Sequence, residues 1–185
     1  MNGKTDNGSD MKIAGMEQFA DSAAADSAAI ENYDRLRRNG DIARARRLGA
    51  SAAGSINDIH SSLGLNTAED DIVLHERLLV IFSAAAALET CLPDRILSRS
   101  ALNVFYDVLK KDTPELYDAM SVSGAVTFYY LEYRKLGEQP ADIGGRFAML
   151  CGREDDPELI ETGGMIFART YDQIRLAVEN TDFSV

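Results

Sequence analysis

The residues best suited to chemistry in this sequence are six arginines that lie within thirteen positions. They are Arg35, Arg37, Arg38, Arg44, Arg46 and Arg47, and only Asp34 and Asp41 add negative charge beside them. Because the 185-residue chain has a formal net charge of −11, this segment reverses the charge locally. Arginine presents a planar fork of donors that fits carboxylate and phosphate groups. The pattern predicts a docking site for an acidic partner at Arg35, Arg38, Arg44 and Arg47. The alternative is pairing with the chain's own acids, together with a solvated charged face.

A second set of candidates combines tyrosines with charged side chains. Tyr130, Glu132 and Tyr133 lie in the aromatic run FYYLEY. Tyrosine has an apolar ring and a hydroxyl that can orient a ligand, so such a run can line a small-molecule pocket. Arg146 and Arg169, which each follow a glycine pair, could complete a pocket between the fifth, sixth and seventh predicted helices. The alternative is that the tyrosines pack at the edge of the core, with their hydroxyls in water.

The two histidines are weaker candidates. His75 shares a helical stripe with Glu89, and Asp71 lies one turn earlier, where it could hold a ring nitrogen. Carboxylate-bridged metal bundles need a Glu-x-x-His motif on each of two helices, and this sequence has none. His60 is expected to stand alone. We therefore expect neither a metal site nor a cofactor.

Familiar catalytic motifs are also missing from the sequence. It contains no Gly-x-Ser-x-Gly elbow, no His-Glu-x-x-His and no dinucleotide-binding glycine fingerprint. The sequence leans against an enzyme without deciding the question, since many enzymes lack such motifs.

The elements that must position these side chains are helices. The stretch 71–92, DIVLHERLLVIFSAAAALETCL, has no charged residue between Leu78 and Leu88. A helix that is apolar nearly all round is one that other helices surround. No segment alternates with the period of a strand. We expect an all-α, single-domain bundle of six to seven helices around a central apolar helix at about 68–91. The fifth and seventh helices should be its main neighbours.

Helix boundaries follow from turn and capping residues. The first helix is predicted from Met16 to Arg38, where Asn39-Gly40 should end it. Asp41 should cap a second helix that runs to Leu63, and Asn66 or Thr67 should cap the central one. The small residues Gly144, Ala148, Gly164 and Ala168 indicate a close crossing of the sixth and seventh helices, because glycine inside a helix needs a packing reason.

Composition limits the domain organisation and the cellular context. Residues 1–14 are polar and predict a flexible tail, and 15–185 predict one helical domain. An acidic chain repels phosphate backbones, so general nucleic-acid and membrane binding are disfavoured. The first residues lack the apolar region of a secretory signal, which favours a cytoplasmic protein. The apolar neighbours of Cys91 and Cys151 predict that both are buried thiols in a reducing cytosol.

Together these observations favour a non-enzymatic cytosolic interaction or regulatory module. Its partner would be another protein bound through the arginines, or a second copy of the chain bound through an exposed apolar strip. The alternative is a small-molecule-binding helical protein or enzyme that uses the tyrosine-lined pocket.

Overall fold

The architecture is all-α. The computed structural model describes residues 27–65, 69–136 and 139–184, and within them it contains helices and no strand. The predicted tail at 1–14 and the predicted start at Met16 lie outside the described residues. The helices are α1 (27–38), α2 (Asp41–Gly54), α3 (Ile56–Ser62), α4 (Asp70–Cys91), α5 (Arg95–Asp112), α6 (Pro114–Ser123), α7 (Ala125–Leu136), α8 (Pro140–Leu150) and α9 (Pro157–Glu179).

The predicted count of six to seven helices was too low, because two predicted helices are each divided. Gly124 has φ +66°, a left-handed conformation that ends α6 and turns the chain into α7. Ser55 separates α2 from α3, and its hydroxyl donates to the Ala52 carbonyl at 2.9 Å. The apolar spacing continues across both breaks, so periodicity alone did not reveal them.

The prediction of a central apolar helix is confirmed by α4. Every side chain from Leu78 to Leu88 is buried. The surrounding helices are α3, α5, α7, α8 and α9, with α9 packed most extensively along it. The predicted caps Asn66 and Thr67 lie outside the described residues, and Glu69 occupies the N-cap position. Asp70 and Asp71 follow in the first turn, where the helix dipole favours negative charge.

Phe82, near the middle of α4, joins three helices. Its ring centroid lies 5.3 Å from that of Tyr129, 5.0 Å from that of Tyr130 and 6.0 Å from that of Tyr133, all on α7. On the α9 side it stacks on Phe167 at 6.1 Å. Aromatic pairs at such separations stabilise a core beyond their buried area. The fifth predicted helix therefore reaches the central helix through its second half, α7.

Glycines bring α8 and α9 into backbone contact, as predicted. A methyl group placed on Gly144 would overlap the carbonyl oxygen of Ile160, and one on Gly163 would lie 2.7 Å from Cβ of Phe147. We call this contact the glycine crossing. A second close approach was not predicted: a methyl group on Gly49 of α2 would overlap the carbonyl oxygen of Ala101 in α5.

No helix among the described residues combines the length and apolarity that crossing a lipid bilayer would require.

Candidate functional site

The six arginines Arg35, Arg37, Arg38, Arg44, Arg46 and Arg47 lie around the turn between α1 and α2, and we call them the arginine corner. Gly40 makes this turn with φ +79°, in agreement with the predicted end of the first helix. Asp41 was expected to cap α2, but Gly40 holds the N-cap position and Asp41 is the first helical residue. The six side chains therefore leave from two consecutive helices at one corner of the bundle.

Asp41 anchors the corner from inside. Its side chain is fully buried, and its Oδ1 accepts hydrogen bonds from Arg44 at 2.9 Å and from the backbone N–H of Ser184 at 3.1 Å. Asn32 on α1 donates to Asp94, just before α5, at 3.0 Å. These bonds tie both helices of the corner and the end of the chain to the bundle. Sequence reasoning did not find this role, because Asp41 and Ser184 are far apart along the chain.

The other five arginines of the corner are exposed. Arg35 donates to the side-chain oxygen of Asn32 at 2.8 Å, and Arg38 donates to the carbonyl oxygen of Asp34 at 3.2 Å. Among the described residues, Arg44 is the only member of the corner within ion-pair distance of a carboxylate. The alternative of internal pairing thus applies to Arg44, and the corner keeps a surplus of positive charge.

In the alternative pocket, the structure brings together Glu132 and Arg146. Nε of Arg146 donates to the nearly buried Glu132 carboxylate at 2.6 Å, and another nitrogen of the guanidinium lies 3.4 Å from the sulfur of Met149. Beside them is a groove of about 340 Å³ that Asp142 and Glu154 also line. Arg169 is exposed on α9. The carboxylates of this groove outnumber its one arginine.

Tyr130 and Tyr133 are oriented toward α4. Tyr130 lies beside Tyr106 and Glu89, and burial raises the pKa of its hydroxyl far above the ordinary value. The Tyr133 hydroxyl and Oγ1 of Thr90 share a hydrogen bond of 2.9 Å. The Tyr133 hydroxyl therefore has its partner at the exposed end of α4.

His60 and Glu76 form a polar contact that sequence reasoning missed. Nε2 of His60 and Oε2 of Glu76 are hydrogen-bonded at 2.9 Å, and this bond joins α3 to α4. The Glu76 side chain is 1% exposed. A buried acid is rare unless paired, so the position of Glu76 on an apolar helix was the available signal.

His75 does not behave as the sequence suggested. Its Nδ1 is buried and has no hydrogen-bond partner among the described atoms, so Asp71 does not hold that nitrogen. Burial lowers the pKa of His75, and the charge of Asp71 opposes this shift in part. Among the described residues, no group of three or more His, Cys, Asp or Glu could hold a metal ion.

Both cysteines are half-buried, and among the described residues neither forms a disulfide. Burial, reinforced by the nearby Glu76 carboxylate, raises the pKa of Cys151 to about 11 although Arg153 opposes the shift. A thiol that stays protonated is a poor nucleophile. The Cys91 thiol donates to the Tyr171 hydroxyl at 3.6 Å.

No family model, no curated protein and no solved structure matches this chain.

Proposed function

We propose that this chain is a non-enzymatic cytosolic interaction module that binds an acidic protein surface through the arginine corner. One observation carries the proposal. Five of the six arginines are exposed, and among the described residues only Arg44 is in an ion pair. A guanidinium without a carboxylate partner keeps its bidentate donors free for a partner's carboxylates.

The way the corner is held supports the proposal. Binding costs free energy for every group that it immobilises. The buried Asp41 and the bond from Asn32 to Asp94 already fix the backbone from which the arginines project. Binding at the corner then orders side chains but little of the backbone. Exposed charge pairs mainly speed association and are screened by salt, so the affinity should fall as ionic strength rises.

The charge of the rest of the chain favours a compact acidic protein over a nucleic acid. Six arginines against Asp34 and Asp41 give the segment 34–47 a charge of +4, so the rest of a chain of net −11 carries −15. A long polyanion that reached beyond the corner would meet this negative surface and be repelled. A carboxylate patch of the size of the corner would not.

Fluorescence anisotropy with a labelled oligoglutamate peptide tests the proposal. Arg46→Glu with Arg47→Glu should remove most of the affinity, and far-UV circular dichroism should be unchanged because both side chains are exposed. Arg44 is left intact, since its loss would remove the ion pair of the buried Asp41. Arg134→Glu with Arg169→Glu, two exposed sites on α7 and α9 outside the corner, is the matched control and should bind as the natural chain does.

Equal loss in the two double variants would mean that net charge, and not the corner, governs binding. Undiminished binding by the corner variant would exclude the corner as the interface.

A second candidate function is small-molecule binding in the groove beside Glu132 and Arg146. The preformed 2.6 Å ion pair at the edge of this groove favours it, because it would present a fixed charge pattern to a ligand. Native mass spectrometry of gently purified protein would detect a retained ligand as added mass. Glu132→Gln with Arg146→Gln should remove that added mass, and a spectrum of unmodified chain alone would count against this candidate.

A further inference from the structure

The arginine corner lies near one end of α4. Asn32, which accepts from Arg35, itself bonds to Asp94, three residues after the end of α4. Helix α4 has 22 residues and is about 33 Å long at 1.5 Å per residue. Whatever lies at the start of α4 is therefore on the far side of the molecule from the corner.

The start of α4 lies beside the start of α9, and both are strongly acidic. Arg153 donates to Glu69 at 2.6 Å and so joins the two segments. We call the carboxylates of 69–71 and 154–158 the acidic end; they are Glu69, Asp70, Asp71, Glu154, Asp155, Asp156 and Glu158. All are exposed except Asp156, which is half-buried and caps α9. Together with Arg153, which directly precedes the second segment, these seven carboxylates give a net charge of −6.

We infer that the acidic partner of the arginine corner is the acidic end of a second copy of this chain. This inference rests on the proposed function and names its partner. The two surfaces carry +4 and −6, so they are complementary in sign and close in magnitude. Because about the length of α4 separates them, the acidic end of one copy cannot reach the corner of the same copy, whereas the acidic end of a neighbouring copy can.

Long-range repulsion does not prevent this contact. Each copy has a net charge of −11, but at physiological ionic strength charges farther apart than about 8 Å are largely screened. The facing corner and acidic end lie within that distance, and the remaining negative surface lies mostly beyond it. The attraction between the corner of one copy and the acidic end of the other then determines whether the two copies associate.

Such an interface joins different surfaces of two copies, so it is heterologous. Each added copy presents a new free corner or a new free acidic end. Assembly should therefore extend head to tail, as a ring if the rotation closes and as an open chain if it does not.

Sedimentation velocity over a wide range of concentrations tests the inference with two charge-reversed variants. Arg46→Glu with Arg47→Glu blocks the corner, and Glu154→Lys with Asp155→Lys blocks the acidic end without touching the cap at Asp156. The natural chain should assemble beyond a dimer, and each variant alone should stay monomeric. An equimolar mixture of the two should form a dimer and stop, because each copy then has one working surface.

Three results would overturn the inference: a natural chain that stays monomeric, a variant that assembles alone, or a mixture that stays monomeric. The Arg134→Glu, Arg169→Glu control should assemble like the natural chain. Binding of the oligoglutamate peptide separates the two proposals. If the natural chain is monomeric but binds the peptide through the corner, only the second copy is excluded as the partner. If the natural chain does not bind the peptide, the corner itself is excluded as the binding site.

Discussion

The glycine crossing and the arginine corner are opposite solutions to the meeting of two helices. At the crossing, α8 and α9 touch backbone to backbone, and Gly144 leaves no space for a methyl group. At the corner, α1 and α2 are joined by Gly40, and large charged side chains leave for solvent. The backbone contacts at the crossing stabilise the fold, whereas the exposed arginine side chains at the corner are available to bind a partner. Changes inside the bundle should therefore alter stability and leave peptide binding at the corner unchanged.

The largest effect is expected at the crossing. Gly144→Ala should lower the free energy of unfolding by about 3 kcal/mol, since overpacking against backbone forces helices apart. The adjacent control is Gly145→Ala, at a position with open space around it. It should raise the free energy of unfolding by up to about 1 kcal/mol, because alanine is the better helix former. Urea denaturation measures both. Equal effects of the two substitutions would contradict the backbone contact. Weaker peptide binding by folded Gly144→Ala would show that the crossing and the arginine corner are energetically coupled.

A smaller effect is expected between α3 and α4. A double-mutant cycle of His60→Ala and Glu76→Ala should give a coupling energy of about 1–2 kcal/mol, since this contact is largely desolvated. The exposed bond from Arg77 to Asn57, 2.9 Å long, joins the same two helices and is the control. Its cycle should give no more than about 0.5 kcal/mol. The comparison fails if the exposed pair couples as strongly as the buried one.

Tyr129 and Tyr133 lie on one face of α7, and removing their hydroxyls should have different effects on stability. The Tyr129 hydroxyl is buried without a hydrogen-bond partner among the described atoms, so Tyr129→Phe should leave stability unchanged or raise it by up to about 1 kcal/mol. Tyr133→Phe loses the exposed bond to Thr90 and should cost about 0.5 kcal/mol. Thermal and urea unfolding of both variants measure this difference. A clear loss in Tyr129→Phe would reveal a partner for its hydroxyl.

The smallest effect concerns pH. Burial holds the pKa of folded His75 below its ordinary value of 6.5. The unfolded chain therefore takes up a proton first as the pH falls below 6.5, and stability declines until the folded form is protonated as well. His75→Gln should flatten this part of the curve of urea midpoint against pH. An unchanged slope in the variant would exclude His75 as the cause.

Much of the fold could be predicted because it follows from local pattern. The uninterrupted apolar run of α4 and the turn at Asn39-Gly40 both depend on neighbours along the chain. The division at Gly124 was missed because a single left-handed residue does not disturb the apolar spacing on either side. The close approach of Gly49 to Ala101 was missed for a different reason, since one isolated glycine does not identify its partner helix.

The candidate site also has some features that the sequence alone determines and others that depend on the tertiary structure. By itself the sequence determined the helical class, the central apolar helix, the glycine crossing and the excess of positive charge at 34–47, because each is encoded in residue type and spacing. Only the tertiary structure decided that Arg44 alone among the corner arginines has an ion pair within the described residues. It also decided that Glu76 is bonded to His60 and that the acidic segments at 69–71 and 154–158 lie together. Ion pairs and hydrogen bonds act over a few ångströms, and the packing of distant helices sets such distances.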